Sequence, residues 1–384
     1  MLPTLSFLWD YSLTSLSLAL LDPRVLRRML EVWLALEMHK SWATDYLTGQ
    51  PTGPWYAIND AAILRCAHDY LRVTGDFAWL DKVIEGKPVV ERLAGHAVYW
   101  KQLDRRGTGL ADYGDMTNLL EVVSTYLHEV AAVNAANVHG MRFVASLLEH
   151  RGAADRASAL RSEARELAAR ISRLLYVEGK GWWRCGQPDG TFNEVRHCYD
   201  LVAVLDFMPG DLSDRQKREM IRFFWEELHT PLWMHALSPC DPDATWNMRA
   251  DHSWLGAFGG WPAMTARGLY KIDHPARVAE WVKGLARSAN QGPFGQAHLA
   301  DTVFPSERGG AKKCPQEKPY DNDWSILAGG SFAGLVIESI AGAQLTMYDG
   351  IGVESRVTDF DPSTALENLS YQGRSYRLTG HGVE

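Results

Sequence analysis

Helical periodicity runs through most of this chain, and the helices it marks come in two alternating kinds, which is the strongest limit on the fold. From Leu119 to Ala145 the sequence is rich in Ala, Leu and Val at close spacing, so a helix there is apolar on most sides and belongs inside. Arg156 to Arg173 instead alternates Arg and Glu with Ala and Leu, which predicts a solvated outer helix. Inner followed by outer, repeated, is the pattern of a closed ring of helical hairpins. Further helical stretches are expected at 57–74, 78–100, 117–150, 153–175, 213–228, 250–270, 275–290 and 323–342. Asp22-Pro23 opens another in the usual cap-then-proline manner, with Val25, Met29, Val32 and Leu36 along one face.

Strand-like sequence is scarce before the end of the chain. Gly181 to Arg184 and Gly190 to Val195 predict a short hairpin around Pro188-Asp189-Gly190. Beyond Gly342 the pattern changes, and Val353 to Val357 and Ser375 to Leu378 alternate in the strand manner. The expected fold class is all-α, with a helical domain at 1–344 and a small β-strand segment at 345–384. No linker, low-complexity tract or charge run cuts the helical region.

Composition narrows the chemistry. A hydrophobic content of 46% and a charged content of 22% are those of an ordinary globular protein. The net charge of −8, with no block of Lys or Arg, argues against nucleic acid or an anionic membrane as partner. Five scattered Cys, none in a Cys-x-x-Cys pair, argue against a disulfide framework and fit reduced thiols in the cytoplasm. Leu13 to Leu21 is apolar but follows Asp10 without a basic segment, so it does not read as a signal peptide. The opening at Phe-Leu-Trp-Asp leaves room for a missing earlier helix, and secretion stays open on that account.

The chain has 15 Trp, and several share local segments with acids, amides or His. Phe7-Leu8-Trp9-Asp10-Tyr11, Gln50-Pro51-Thr52-Gly53-Pro54-Trp55, Asp112-Tyr113-Gly114-Asp115 and Trp246 through Trp254 share this recipe. A carboxylate accepts from hydroxyls and an indole covers an apolar ring face, which suits a sugar. Four such loops point to one carbohydrate pocket, with Trp clusters in the core as the alternative reading. Candidates for substrate contact are Trp9, Asp10, Gln50, Trp55, Asn59, Tyr113, Trp246, Arg249, Asp251, His252, Trp254 and His298. For His252 and His298 a structural role is the alternative. His197 reads as structural, because no ligand set such as His-x-x-x-His accompanies it; no metal is expected. Walker A, Gly-x-Gly-x-x-Gly, Gly-x-Ser-x-Gly and EF-hand motifs are missing, so phosphate chemistry, nicotinamide cofactors and serine hydrolysis are not expected.

In this order the blocks resemble the six-hairpin glycosidases, which fold as an (α/α)6 barrel, and are most similar to glycoside hydrolase family 63 with its mannosylglycerate-hydrolase-like group. Phe7-Leu8-Trp9-Asp10 looks like the family's Phe-x-Trp-Asp loop, which holds the sugar in the −1 subsite. Gln50 to Trp55 resembles its Gln-Pro-Pro loop, and Gly109-Leu110-Ala111-Asp112 its Gly-Leu/Met-Asp loop, where the general acid resides. Leu237-Ser238-Pro239-Cys240-Asp241-Pro242 looks like its Leu-Pro-Ser…Asp-Pro stretch. Asp251-His252-Ser253-Trp254 stands where the family has Trp-Arg-Gly-Pro-x-Trp; the Arg is absent from its place, and Arg249 is the nearest. The resemblance implies an inverting, exo-acting glycoside hydrolase without a cofactor.

Such hydrolysis needs two carboxyl groups, one protonated and one ionised. The early candidates are Asp112 and Asp115, on a Gly-flanked turn before an apolar helix. Either one needs desolvation, as by Tyr113, to stay protonated near a helix N-terminus. The alternative for Asp115 is to cap the helix beginning near Met116. The late candidates are Glu307 and Glu317, with Asp301 behind them, although the Lys-bearing loop that holds them also reads as solvated surface. Two other functions remain open: sugar epimerisation or polysaccharide lysis through His252, His298 or Tyr113, and a catalytically silent sugar-binding barrel.

Overall fold

The buried and the striped helices do alternate. A computed structural model describes residues 5–118, 120, 123–245, 250–289, 298–299, 312–313 and 329–384. Among the described residues lie eleven α-helices: α1 (Leu8–Leu21), α2 (Pro23–Ala35), α3 (Asn59–Thr74), α4 (Val89–Val98), α5 (Ala131–His150), α6 (Ala154–Leu175), α7 (Cys198–Phe207), α8 (Asp214–Phe223), α9 (Trp261–Leu269), α10 (Pro275–Ala289) and α11 (Gly329–Gly334). Helices α3, α5, α7 and α9 are buried on nearly every side. On α6 only the stripe Ala157, Ala164, Leu167, Ala168, Ile171 and Leu175 is fully buried, and Arg156, Arg165, Glu166 and Arg173 are exposed. A helix that is apolar all round has to be enclosed, whereas one stripe covers one neighbour.

The chain divides into two compact units, one of residues 1–100, 139–164 and 333–384, the other of 101–138 and 165–332. In the first, α1 and α2 pack on α3, and α3 on α4. Gly140 of α5 lets Leu64 approach so closely that an added Cβ would stand 2.6 Å from its Cδ1. Asp69 of α3 accepts from Arg72 Nε at 2.8 Å and Nη2 at 2.6 Å, and from Ser15 Oγ of α1. Burial pushes this carboxyl up, but Arg72 and Arg65 outweigh it and hold it far below the usual range. Arg72 reaches Glu338 as well, at 2.6 Å. The C-terminal strands pair antiparallel, 343–345 with 351–353, and 374–379 with both 366–371, where the register shifts between Leu366 and Leu369, and 382–383. They are tied to the end of α3 by Gln372 N–H, which donates to Val73 O at 2.7 Å.

In the second unit, α7 packs on α9 and α9 on α10. The expected hairpin is present, pairing Trp183–Gly186 with Phe192–Val195. Gly181 before it has φ 90 and lies against the Glu219 carbonyl, 2.1 Å from where a Cβ would be.

Several expectations are corrected. The stretch 78–100 is broken by a tight hairpin, Val83–Ile84 with Lys87–Pro88, whose turn residues Glu85 and Gly86 have φ 44 and φ 76. Both central residues at positive φ suit the right-handed twist of a two-residue turn. Among the described residues the stretch 117–150 is α-helical only from Ala131, where His128 at φ 63 breaks the helical path just before it. The helix expected at 250–270 begins at Trp261, after a single turn at Ala250–His252. Trp9 and Asp10 lie on the first turn of α1, not in a loop before it. On α2 the buried face is Leu26, Met29, Leu30, Trp33 and Leu34, while Val25 is half exposed. Both stripes have helical spacing, and the one with Trp and Leu removes more apolar surface from water.

Candidate active site

In the second unit, the turn carrying Asp112 is fixed by its neighbours' main chain and amides. Asn134 of α5 pairs with Ala111 as a strand would, accepting from Ala111 N–H at 2.9 Å and donating to its carbonyl at 3.1 Å. Asp112 N–H donates to Leu103 O at 2.9 Å, and Tyr113 N–H to His128 O at 3.0 Å. Asn137 donates to the Tyr113 hydroxyl at 2.6 Å, and Asn118 to its carbonyl at 2.7 Å. Asp112 is 2% exposed. Its Oδ1 accepts from Gly114 N–H at 2.8 Å and stands 2.9 Å from His128 Nδ1, while Arg105 lies 3.9 Å from Oδ2. His128 has φ 63, a left-handed conformation costly for a residue with a Cβ and found disproportionately where function demands it.

Asp115 behaves differently. It is exposed and accepts from Thr117 N–H at 2.9 Å and Thr117 Oγ1 at 2.6 Å, capping the short turn Met116–Asn118. Those two bonds hold its carboxyl below the ordinary value. Sequence reasoning did not name Glu129, whose main chain pairs with Gly186. Burial raises its carboxyl, opposed by Thr108 and Arg106 and reinforced by the charge of Asp112. Neither His128 nor Glu129 sits in a motif; what brings them to Asp112 is the turn back from residue 114 to 128.

The loops before α7 and α9 are laced together through a third segment. Cys198 N–H donates to Ala236 O at 2.7 Å, Ser238 N–H to Arg196 O at 3.0 Å, and Leu237 N–H to Ser253 O at 3.2 Å. This ladder sets the His197 and His252 rings nearly parallel, with centroids 6.2 Å apart and planes 10° from one another. His197 Nδ1 accepts from Tyr199 N–H at 3.1 Å as the cap of α7, so the structural role expected of it is real. Its Nε2 is buried with no hydrogen-bond partner among the described residues. Burial, then the neighbouring His252, pushes the imidazole well below its usual range. Asp251 is buried, and its carbonyl accepts from Phe258 N–H at 2.8 Å; Trp254 is partly exposed, and its carbonyl pairs with His235 Nδ1. Nearby, Thr125, Phe192, Asn193, Glu194, Arg196, Asp241 and Pro242 line a cavity of about 360 Å³, within the usual range for small ligands. Burial raises the Asp241 carboxyl, against main-chain bonds from Arg196 and Asp243.

In the first unit, Trp55 is partly exposed with its ring 6.3 Å from Tyr99, and Gln50 is exposed. Asn59 is fully buried and donates to Ser41 O at 2.8 Å, a bond that anchors the start of α3. Next to it, Asp60 accepts from His39 and His96, which come from 21 residues before and 36 after. Burial raises the Asp60 carboxyl, and the two imidazoles more than reverse that. Trp246, Arg249, Glu307 and Glu317 lie outside the described residues, as does the side chain of His298, whose main chain pairs with Ala257 and Lys313.

No family model and no curated protein matches this chain. Its fold is similar to that of a glycoside hydrolase family 78 rhamnosidase from Bacillus sp. GL1, at 15% identity and a TM-score of 0.61 over 88% of this chain and 32% of that one. It is also similar to a rhamnosidase from Klebsiella oxytoca with rhamnose bound, at 12% identity and a TM-score of 0.56 over 85% and 57%. An uncharacterized conserved protein from Thermus thermophilus matches at 12% identity and a TM-score of 0.58 over 86% and 94%. The chain therefore spans about a third of the Bacillus enzyme's length. At such identities the likeness is one of fold alone, that of a mostly helical chain.

Proposed function

We propose that this chain is an inverting glycoside hydrolase that removes a terminal sugar, with Asp112 as general acid and Glu307 or Glu317 as general base. The observation that carries the reading is the Asp112 turn, a buried carboxyl oriented by Gly114 N–H and His128 in a chain whose fold resembles rhamnosidases. Asp115 is the weaker candidate, because an exposed carboxyl held below its ordinary value has no proton to give at neutral pH. In the reaction Asp112 gives its proton to the glycosidic oxygen as the bond to the anomeric carbon breaks. The base takes a proton from the water that attacks the opposite face. On the motif likeness to family 63, Trp9, Asp10 and Trp55, and independently the 246–254 loop, are proposed as sugar contacts. The rhamnose bound by the Klebsiella enzyme makes 6-deoxyhexosides the first substrates to try. The test is a panel of aryl glycosides with the wild type and Asp112→Asn. Phenol release by the wild type, lost in the variant, supports the reading; equal release by both overturns the assignment, and no release from any glycoside overturns the activity.

A second reading has its own observation. The stacked His197 and His252, one of them a buried neutral imidazole, provide the histidine pair that epimerisation or lysis would use for proton transfer. Its mark would be an epimerised or unsaturated product that disappears in His252→Gln.

A further inference from the structure

We propose that His39, Asp60 and His96 form a binding site for one divalent transition-metal ion. Two imidazoles and one carboxylate are a donor set that suits Zn²⁺, Mn²⁺, Fe²⁺ or Ni²⁺. Imidazole nitrogen and carboxylate oxygen bind Zn²⁺ at about 2.0–2.2 Å, so two donors at a right angle around it stand roughly 3 Å apart. His39 Nε2 lies 3.0 Å from each Asp60 oxygen, and His96 Nδ1 lies 2.7 Å from Oδ1. All three donors fall within 4.8 Å of one another. The two His–carboxylate spacings fit neighbouring ligand positions on one ion, and the remaining positions are left open to water or a hydroxyl-bearing ligand.

The surroundings are those of a prepared site. Asp60 stands on the first turn of buried α3, and His96 on the last turn of α4, so two donors ride on packed helices. His39 lies flat against Tyr99, with ring centroids 3.3 Å apart, which fixes the plane of its imidazole. Its side chain is 27% exposed while that of Asp60 is 10%, giving an ion an entry path on one side. Binding requires His39 Nε2 and His96 Nδ1 to present lone pairs, so each neutral imidazole moves its proton to the other ring nitrogen and any imidazolium releases one.

The competing account is a closed hydrogen-bonded triad that joins the 38–40 turn to α3 and α4 and takes no ion. The test uses the full chain, stripped with EDTA and titrated with Zn²⁺ and Co²⁺ by calorimetry, with metal analysis after desalting. One ion per chain is expected, with Co²⁺ ligand-field bands that Zn²⁺ displaces. His39→Gln, at a partly exposed position, and His96→Gln should each weaken Zn²⁺ binding by about a hundredfold, with circular dichroism unchanged. No retained ion, or equal retention by wild type and His39→Gln, overturns the site. None of these outcomes depends on glycoside turnover, so failure here leaves the proposed hydrolysis standing.

Discussion

Asp112→Asn separates chemistry from folding because the two costs differ in size. Asparagine keeps the shape of the side chain and the oxygen that accepts from Gly114 N–H at 2.8 Å. It exchanges the other carboxyl oxygen, 3.9 Å from Arg105, for an amide nitrogen and keeps an oxygen 2.9 Å from His128. Arg105 is 58% exposed, so solvent screens most of its contact. Exchanging the carboxyl for an amide of the same shape disturbs about one hydrogen bond, a cost of about 1 kcal/mol of stability. Loss of a general acid costs about 10²- to 10⁴-fold in rate, or about 3–5 kcal/mol of transition-state stabilisation. The assay is kcat/KM across glycosides whose leaving groups differ in acidity. A leaving group that departs readily as an anion needs little protonation, so dinitrophenyl glycosides should keep most of their rate while alkyl glycosides lose nearly all of it. Asp115→Asn should leave both series close to wild type, since Asn caps a turn as well as Asp does. A uniform loss across leaving groups in Asp112→Asn, or a larger loss in Asp115→Asn, would refute the assignment.

Two further outcomes follow from buried charges. Asp69→Ala leaves Arg72 and Arg65 without their shared carboxylate, and denaturant unfolding should register a loss of about 3–5 kcal/mol; adding Arg72→Met should return part of it. His197 is held neutral in the fold and gains its proton when unfolded, so its contribution is intact above about pH 6.5 and declines as pH falls toward the depressed folded value. Between pH 7.5 and 5.5 the wild type should lose about 1.4 kcal/mol more than His197→Gln, and an identical loss in the two proteins would contradict the burial argument.

Element type was largely legible from the sequence, and local geometry was not. The all-round apolar character of α5 and the Arg/Glu stripe of α6 carry their burial in their composition, so inner and outer helices could be told apart. One choice on α2 could not be read: Val25 and Leu26 both begin a stripe at helical spacing, and only packing decides between them. The non-helical stretch before Ala131 depends on His128 at φ 63 and on Asp200 of α7, which accepts from Ala132 N–H at 2.7 Å, both products of tertiary structure. At the site, the Gly-flanked turn announced Asp112, but His128 and Glu129 reach it by pairing across the chain. His39, Asp60 and His96 are likewise scattered in sequence and meet only where the 38–40 turn and α4 come against the start of α3.

The most direct test of the central claim is a proton NMR time course of the wild type with an α-L-rhamnoside and, in parallel, other glycosides of the panel. Hydrolysis with inversion predicts that the first signal to appear is the free sugar of opposite anomeric configuration, before mutarotation equalises the two forms. An unsaturated or epimerised product, or an unchanged spectrum from every glycoside, would contradict it.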